Sequence, residues 1–234
     1  MKVLITQSNY IPWKGFFDNI AMVDVYVVYD DMLYTKRDWR NRNMIKTTNG
    51  IKWLTIPIDV KGKRDQKINA ASVSKSDLES PGWKSKHFKT LHHAYSKSKC
   101  FNEVIPWIKN LYDTCESNNL TEINLHFIKA INQYLGIHTK LVDSREFSLK
   151  EDPNERIISI CKDLNANSYY TGPKANSYLK PELFKEKQLK LNIIDYSGYP
   201  QYEQAHPPFK HEVSILDLIF SEGSNAQLFL KHCK

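Results

Sequence analysis

The chain has 234 residues, 41% of them hydrophobic and 12% aromatic, with 33 Lys+Arg against 26 Asp+Glu and a formal net charge of +7. That apolar share supports a folded core and excludes a disordered chain, while 8 Gly and 10 Pro exclude collagen-like and low-complexity sequences. No apolar run reaches the ~18 residues of a membrane span, and Met1-Lys2-Val3-Leu4-Ile5 passes straight into Thr6-Gln7-Ser8-Asn9, too short for a signal peptide. The expected protein is soluble and cytoplasmic, with no membrane insertion. Cys100, Cys115, Cys161 and Cys233 are too far apart for a metal knuckle or redox motif and read as reduced thiols. The charge is uneven: residues 1–100 hold 18 Lys+Arg and 9 Asp+Glu, residues 101–234 hold 15 and 17. Such a bias points the N-terminal part at an anion: a nucleotide diphosphate, a nucleic acid or an acidic membrane surface.

In chain order, Val3 to Thr6 reads as a short strand entering the polar loop Gln7-Ser8-Asn9-Tyr10. A helix starts near Pro12 or Lys14, with Phe16, Phe17, Ile20 and Ala21 at helical spacing, and Val25 to Tyr29 is a second buried strand ending in Asp30-Asp31. A strand–loop–helix–strand unit of this kind closes a parallel pair, whose ligands gather beyond the carboxyl ends of the strands. Asn43 to Thr47, Asn49-Gly50 and Ile51 to Pro57 give a β-hairpin near 43–57. Residues 61–80, polar and without period, read as mostly loop, open to motion. A helical insert spans about 83–136: Pro81 precedes or opens one helix, Phe101 to Glu116 is a second despite Pro106, and Asn119 with Glu122 starts a third that Gly136 ends. Strands at Ile137–Val142, Ser168–Thr171 and Leu191–Tyr196 follow, with a helix opened by Asp152-Pro153-Asn154-Glu155 and a late one over Ile215–Phe220, ending near Gly223. The expectation is a single α/β domain over 1–234, with a mostly parallel sheet, the hairpin and the helical insert.

The densest chemical constellation is Tyr34-Thr35-Lys36-Arg37-Asp38-Trp39-Arg40-Asn41-Arg42-Asn43. Arginine clamps phosphate oxygens in pairs and a flat indole stacks on a base or sugar, so Lys36, Arg37, Arg40, Arg42 and Trp39 read as an anion-binding cassette. A charged hairpin edge explains the lysine but not Trp39, Asn41 or Asn43. Gln7, Asn9 and Tyr10 lie in a loop after a strand, where amides suit a sugar or base edge and ordinary turn chemistry is the alternative. Asp30 and Asp31 are either a general base or the counter-charge of the arginines after them. His206, five residues from His211 across Pro207-Pro208, is a candidate acid or base and not a metal ligand, since the two histidines share no helix face.

These stretches carry a resemblance. Gln7-x-Asn9-Tyr10-x-Pro12-Trp13-x-Gly15-Phe16-Phe17, Asp24-Val25 with Asp31, the run 34–43 and Trp53-Leu54-Thr55-x-Pro57 closely resemble the WbqC-like protein family. So do Tyr170-x-Gly172-Pro173-x-Ala175-x2-Tyr178-Leu179, Tyr199-Pro200-Gln201 and the Ser214-to-Gly223 ending; Ser8 departs from the pattern, where proline is expected. The resemblance implies bacterial surface-polysaccharide (O-antigen) biosynthesis, with glycine or another small acyl group attached to the amino group of a nucleotide-linked deoxy amino sugar. On that reading Lys36, Arg37, Arg40 and Arg42 bind the pyrophosphate, and Trp39 or Tyr10 stacks on base or sugar. Gln7, Asn9, Asn41 and Asn43 read hydroxyls or hold a carbonyl, and Asp30, Asp31 or His206 takes the amine's proton. The donor stays open between an acyl thioester, an ATP-activated amino acid and a charged tRNA, and no cofactor is assigned; there is no glycine-rich phosphate loop. The opening strand–loop–helix–strand layout is also similar to that of adenylyl-transferring enzymes such as pantothenate synthetase, but Trp13, Lys14 and Phe16 flank Gly15 where those enzymes carry histidines. The other readings are an RNA- or tRNA-binding module and a non-catalytic component of a polysaccharide pathway.

Overall fold

Period-two burial builds the central sheet. In the computed structural model, which describes residues 1–79 and 82–233, β1 (Lys2–Thr6) and β2 (Val25–Val28) run parallel, Val3 opposite Val25 and Thr6 opposite Val28. The crossover between them is α1 (Lys14–Ala21). Alternate side chains go to opposite faces: Leu4, Tyr26 and Val28 join one apolar core, and Val3, Ile5, Val25 and Val27 join another. A strand buried on both faces reads as an unbroken apolar run, which is why Val25–Val28 contains no polar residue.

The hairpin stands apart as a two-stranded sheet. It pairs β3 (Arg42–Thr47) with β4 (Gly50–Thr55), Thr47 opposite Gly50. Thr48 and Asn49 make the turn, and Gly50 opens the returning strand at φ +92°, a conformation glycine adopts without a Cβ penalty. The insert comprises α2 (Trp83–Tyr95), α3 (Phe101–Asp113) and α4 (Leu120–Tyr134), all packed into the first core. The Asn119 side chain caps α4, accepting from the Glu122 amide at 3.2 Å. α3 stops three residues before the expected Glu116 because the chain leaves the helix at Thr114, whose hydroxyl closes back on the Asn110 carbonyl at 2.8 Å. The expected role of Pro81 lies outside the described residues.

The remaining elements are β5 (Lys140–Asp143), α5 (Pro153–Asp163), β6 (Ser168–Thr171), α6 (Pro181–Glu186), β7 (Lys190–Ile193) and α7 (Ile215–Glu222). All strand pairs in the main sheet are parallel and the order is β5-β2-β1-β6-β7. β7 ends at Ile193, short of Tyr196: Ile194 makes one more backbone bond, to the Thr171 carbonyl, and Asp195 then turns the chain, accepting from the Ser197 amide at 2.9 Å and hydroxyl at 2.7 Å. The stretch read as mostly loop, open to motion, is partly tied down. Ile68, Ala71 and Val73 are buried, and the Ile68 and Asn69 amides bond the Met32 and Asp30 carbonyls. No helix among the described residues is long and apolar enough to cross a membrane.

Candidate functional site

The sheet order reverses between β1 and β6: the chain builds β1, β2 and β5 to one side, then β6 and β7 to the other. The crevice at the carboxyl ends of such a pair is where open parallel sheets take ligands. A cavity of about 710 Å³ lies there, within the range of small-molecule sites. Leu4, Ile5 and Phe16 supply apolar wall; the loop after β1 adds Gln7, Asn9 and Trp13. Tyr29 and Met32 come from the loop after β2, Trp39 and Arg40 from the segment before β3, Thr171 from the end of β6, and Gly172 and Lys174 from the turn after it. α1 contributes Asn19, α5 contributes Arg156, and Tyr196 follows β7.

Local chemistry fixes these groups. A Cβ on Gly15 would collide with the Trp13 ring, so glycine here lets the indole lie back over the start of α1. There Trp13 meets Tyr196 and Tyr199 edge-on, at centroid distances of 5.4 and 5.7 Å. The Asn19 amide donates to the Tyr196 hydroxyl at 3.0 Å. Arg156 donates to the Tyr29 hydroxyl at 3.1 Å, and to the carbonyls of Lys150 and Glu151. Arg40 donates from Nη1 to Asn9 Oδ1 and the Ser8 carbonyl, with the Asp38 carboxylate 3.7 Å from its Nε. Burial lowers the Arg40 pKa, opposed by the carboxylates of Asp38 and Asp30. Lys174 is exposed and has no ion-pair partner among the described residues. No carboxylate or imidazole lines the cavity among the described residues.

The expected site residues fall in different places. Gln7, Asn9, Trp39 and Arg40 line this cavity. Lys36, Arg37, Asn41 and Arg42 line a separate hollow of about 300 Å³. The cassette divides because the chain turns through Lys36–Asn41, with Arg37 at φ +59°. Asn41 and Asn43 are buried and hold backbone, their amides donating to the Ile56 carbonyl at 2.7 Å and the Tyr10 carbonyl at 3.1 Å.

Tyr10, a proposed stacking residue, is fully buried. Its hydroxyl bonds His87 Nδ1 at 2.9 Å and the Tyr112 hydroxyl at 2.5 Å, so no face of the ring is free for a ligand. Asp30 is also buried, accepting from the Ser8 amide at 2.8 Å, the Ser8 hydroxyl at 2.6 Å and the Thr121 hydroxyl at 2.7 Å. Asp31 pairs with Lys67 at 2.8 Å. His206 bonds the Ala94 carbonyl at 2.7 Å, on the α2 side of the molecule. Trp13, Asn19, Tyr29, Arg156, Thr171, Lys174 and Tyr196 line the cavity without having been singled out as site residues. Thr171-Gly172-Pro173 carried a usable signal, a turn at the carboxyl end of an expected strand. Arg156, on a helix face, carried none.

The strand order and the position of the cavity define the class: a doubly wound α/β protein with a cavity over the carboxyl ends of a parallel sheet. The chain belongs to the WbqC-like protein family, whose family model matches residues 7–228. It is similar to the Uncharacterized protein Rv1507c of Mycobacterium tuberculosis, 42% identical over 233 residues that cover 100% of this chain and 99% of that relative. No solved structure matches it.

Proposed function

We propose that the protein transfers a small acyl or aminoacyl group, of the glycyl type, to the amino group of a nucleotide-linked deoxy amino sugar in bacterial surface-polysaccharide (O-antigen) biosynthesis. The observation that carries the binding part is the wall of the switch-point cavity: Arg40, Arg156 and Lys174 with neutral amides and aromatic rings, and no carboxylate among the described lining residues. A diphosphate fits the cations, the amides of Gln7 and Asn9 read sugar hydroxyls, and Trp39 packs on the base or sugar. The transfer part rests on the family. An amide bond forms between the sugar nitrogen and the acyl carbon, and the bond from that carbon to its carrier breaks. The nitrogen's proton leaves with the departing carrier or to solvent, because Asp30 is committed to three donors and Asp31, paired with Lys67, is not among the residues lining the cavity.

The test is a thermal-shift series with nucleoside-diphosphate-linked amino sugars. A ligand at a hundred times its dissociation constant adds about 2.7 kcal/mol. Lys174→Ala, at an exposed position, is expected to keep the unliganded stability and weaken binding about tenfold, the worth of one charge-assisted contact. Arg40→Ala is expected to remove the shift. A shift that survives both substitutions refutes the placement, and mass spectrometry of the sugar nucleotide incubated with acyl donors reads turnover.

A further inference from the structure

An acyl donor brings a carrier, and the central cavity is already occupied by the acceptor on the reading above. The second hollow supplies a different place. Its walls hold Lys36 and Arg37, both exposed, and no carboxylate lines it among the described residues. Two polar atoms there lack partners. Arg42 Nε is buried with no acceptor, and Asn41, 4% exposed, gives its amide to the Ile56 carbonyl while its Oδ1 receives no donor.

The Arg42 guanidinium lies over the Trp53 ring, 4.0 Å from its centroid. Trp53 leans on Trp39 at a centroid distance of 5.3 Å and 41° between planes. Both indoles are exposed, 38% and 37%, although large apolar side chains on a protein surface are ordinarily scattered singly. Trp39 is also a wall of the central cavity. A ladder Arg42–Trp53–Trp39 therefore leads from the hollow to the acceptor cavity.

We propose that this hollow and its tryptophan ladder form a second subsite, for the nucleotide end of the acyl donor. The proposal rests on the reading of the central cavity as the acceptor site. A base lies against the exposed Trp53 indole, and its phosphate meets Lys36 and Arg37. Indoles stack on any base because every base has a π-face, and exposed cations beside them take the phosphate. At about 300 Å³ the hollow is at the small end of ligand sites, which suits one nucleotide unit and not a whole sugar nucleotide. Two sources share this chemistry: a free nucleotide carrier (a coenzyme A thioester or an acyl adenylate) and the single-stranded end of an RNA.

The experiment titrates the full chain with coenzyme A, ATP and a short single-stranded RNA, by tryptophan fluorescence and calorimetry, with and without a saturating nucleoside-diphosphate amino sugar. At least one probe is expected to bind with a dissociation constant that the sugar nucleotide changes by less than twofold. The double variant Lys36→Glu/Arg37→Glu and the single variant Trp53→Ala, all at exposed positions, are each expected to weaken that probe at least tenfold and to leave sugar-nucleotide binding within twofold. Circular dichroism checks that they fold. RNA binding that collapses with salt assigns the RNA source; coenzyme A or ATP binding assigns a free carrier. Failure of all three probes, competition with the sugar nucleotide, or binding that survives Trp53→Ala overturns the subsite. If the sugar nucleotide fails to bind while a probe still depends on Trp53, the acceptor reading falls and the subsite stands.

Discussion

Asp30 lies at the end of β2, where a general base would be placed, and the fold uses it otherwise. Its carboxylate gathers the Ser8 amide and hydroxyl and the Thr121 hydroxyl, and the Ser8 hydroxyl in turn accepts from the Asn124 amide at 2.9 Å. These bonds clamp the loop after β1 to α4. The loop needs the clamp, because buried Ile11 is held at φ +35°, a region that costs a β-branched residue of order 1–3 kcal/mol. The Ser8 departure therefore has a local meaning: a proline there would donate neither the amide nor the hydroxyl. Asp30→Ala orphans three donors and is expected to cost about 3 kcal/mol or more of folding free energy, read by urea denaturation; a variant of wild-type stability would show that the clamp is not what holds the loop. Residue identity alone could not separate this role from catalysis. The same two carboxylates, Asp30 and Asp31, differ only in what α4 and Lys67 bring to them from elsewhere in the chain.

Whole elements were more legible, because their signals are local. Asp152 caps α5 by accepting the Asn154 and Glu155 amides at 2.9 and 3.0 Å, with Pro153 at the first helical position. The pattern Asp-Pro-Asn-Glu announces this on its own. α4 behind Asn119 and the α1 crossover between parallel β1 and β2 were readable for the same reason. The split of the Lys36–Arg42 cassette was not, since it depends on a turn whose geometry is set by Asn41 reaching Ile56 across the hairpin. The cap also matters for the site, because Arg156 sits in the first turn of α5. Asp152→Ala is expected to lower stability by about 1 kcal/mol and to loosen Arg156, so a sugar nucleotide should bind more weakly. Denaturation and titration of the same variant check both; unchanged stability refutes the capping role.

Across the molecule, the hairpin and the helical insert meet at one buried imidazole. His87 accepts from Tyr10 at Nδ1 and faces the Thr55 carbonyl through Nε2 at 3.1 Å, the arrangement of a neutral ring. Burial lowers its pKa from 6.5 to about 4, the Thr55 carbonyl opposing and Lys52 and Lys86 reinforcing. The unfolded chain takes up a proton below pH 6.5 that the folded chain refuses until about pH 4, so stability falls as the pH drops through that window. The full loss is about 3 kcal/mol. His87→Gln should flatten the decline between pH 6.5 and 4, followed by thermal melts; an equally steep decline in the variant would assign it to other groups.

The hollow beside the hairpin and the switch-point cavity share one property beyond their shape. Arg40 in the cavity is committed to Asn9 and the Ser8 carbonyl, whereas Lys36, Arg37 and Lys174 stand exposed around the openings. Exposed charges act over a screening length of about 8 Å at physiological salt and raise the encounter rate of an oppositely charged molecule by ~10–10³. On the proposed reading, these exposed cations set how quickly an anionic ligand arrives, while the buried amides and rings set how long it stays.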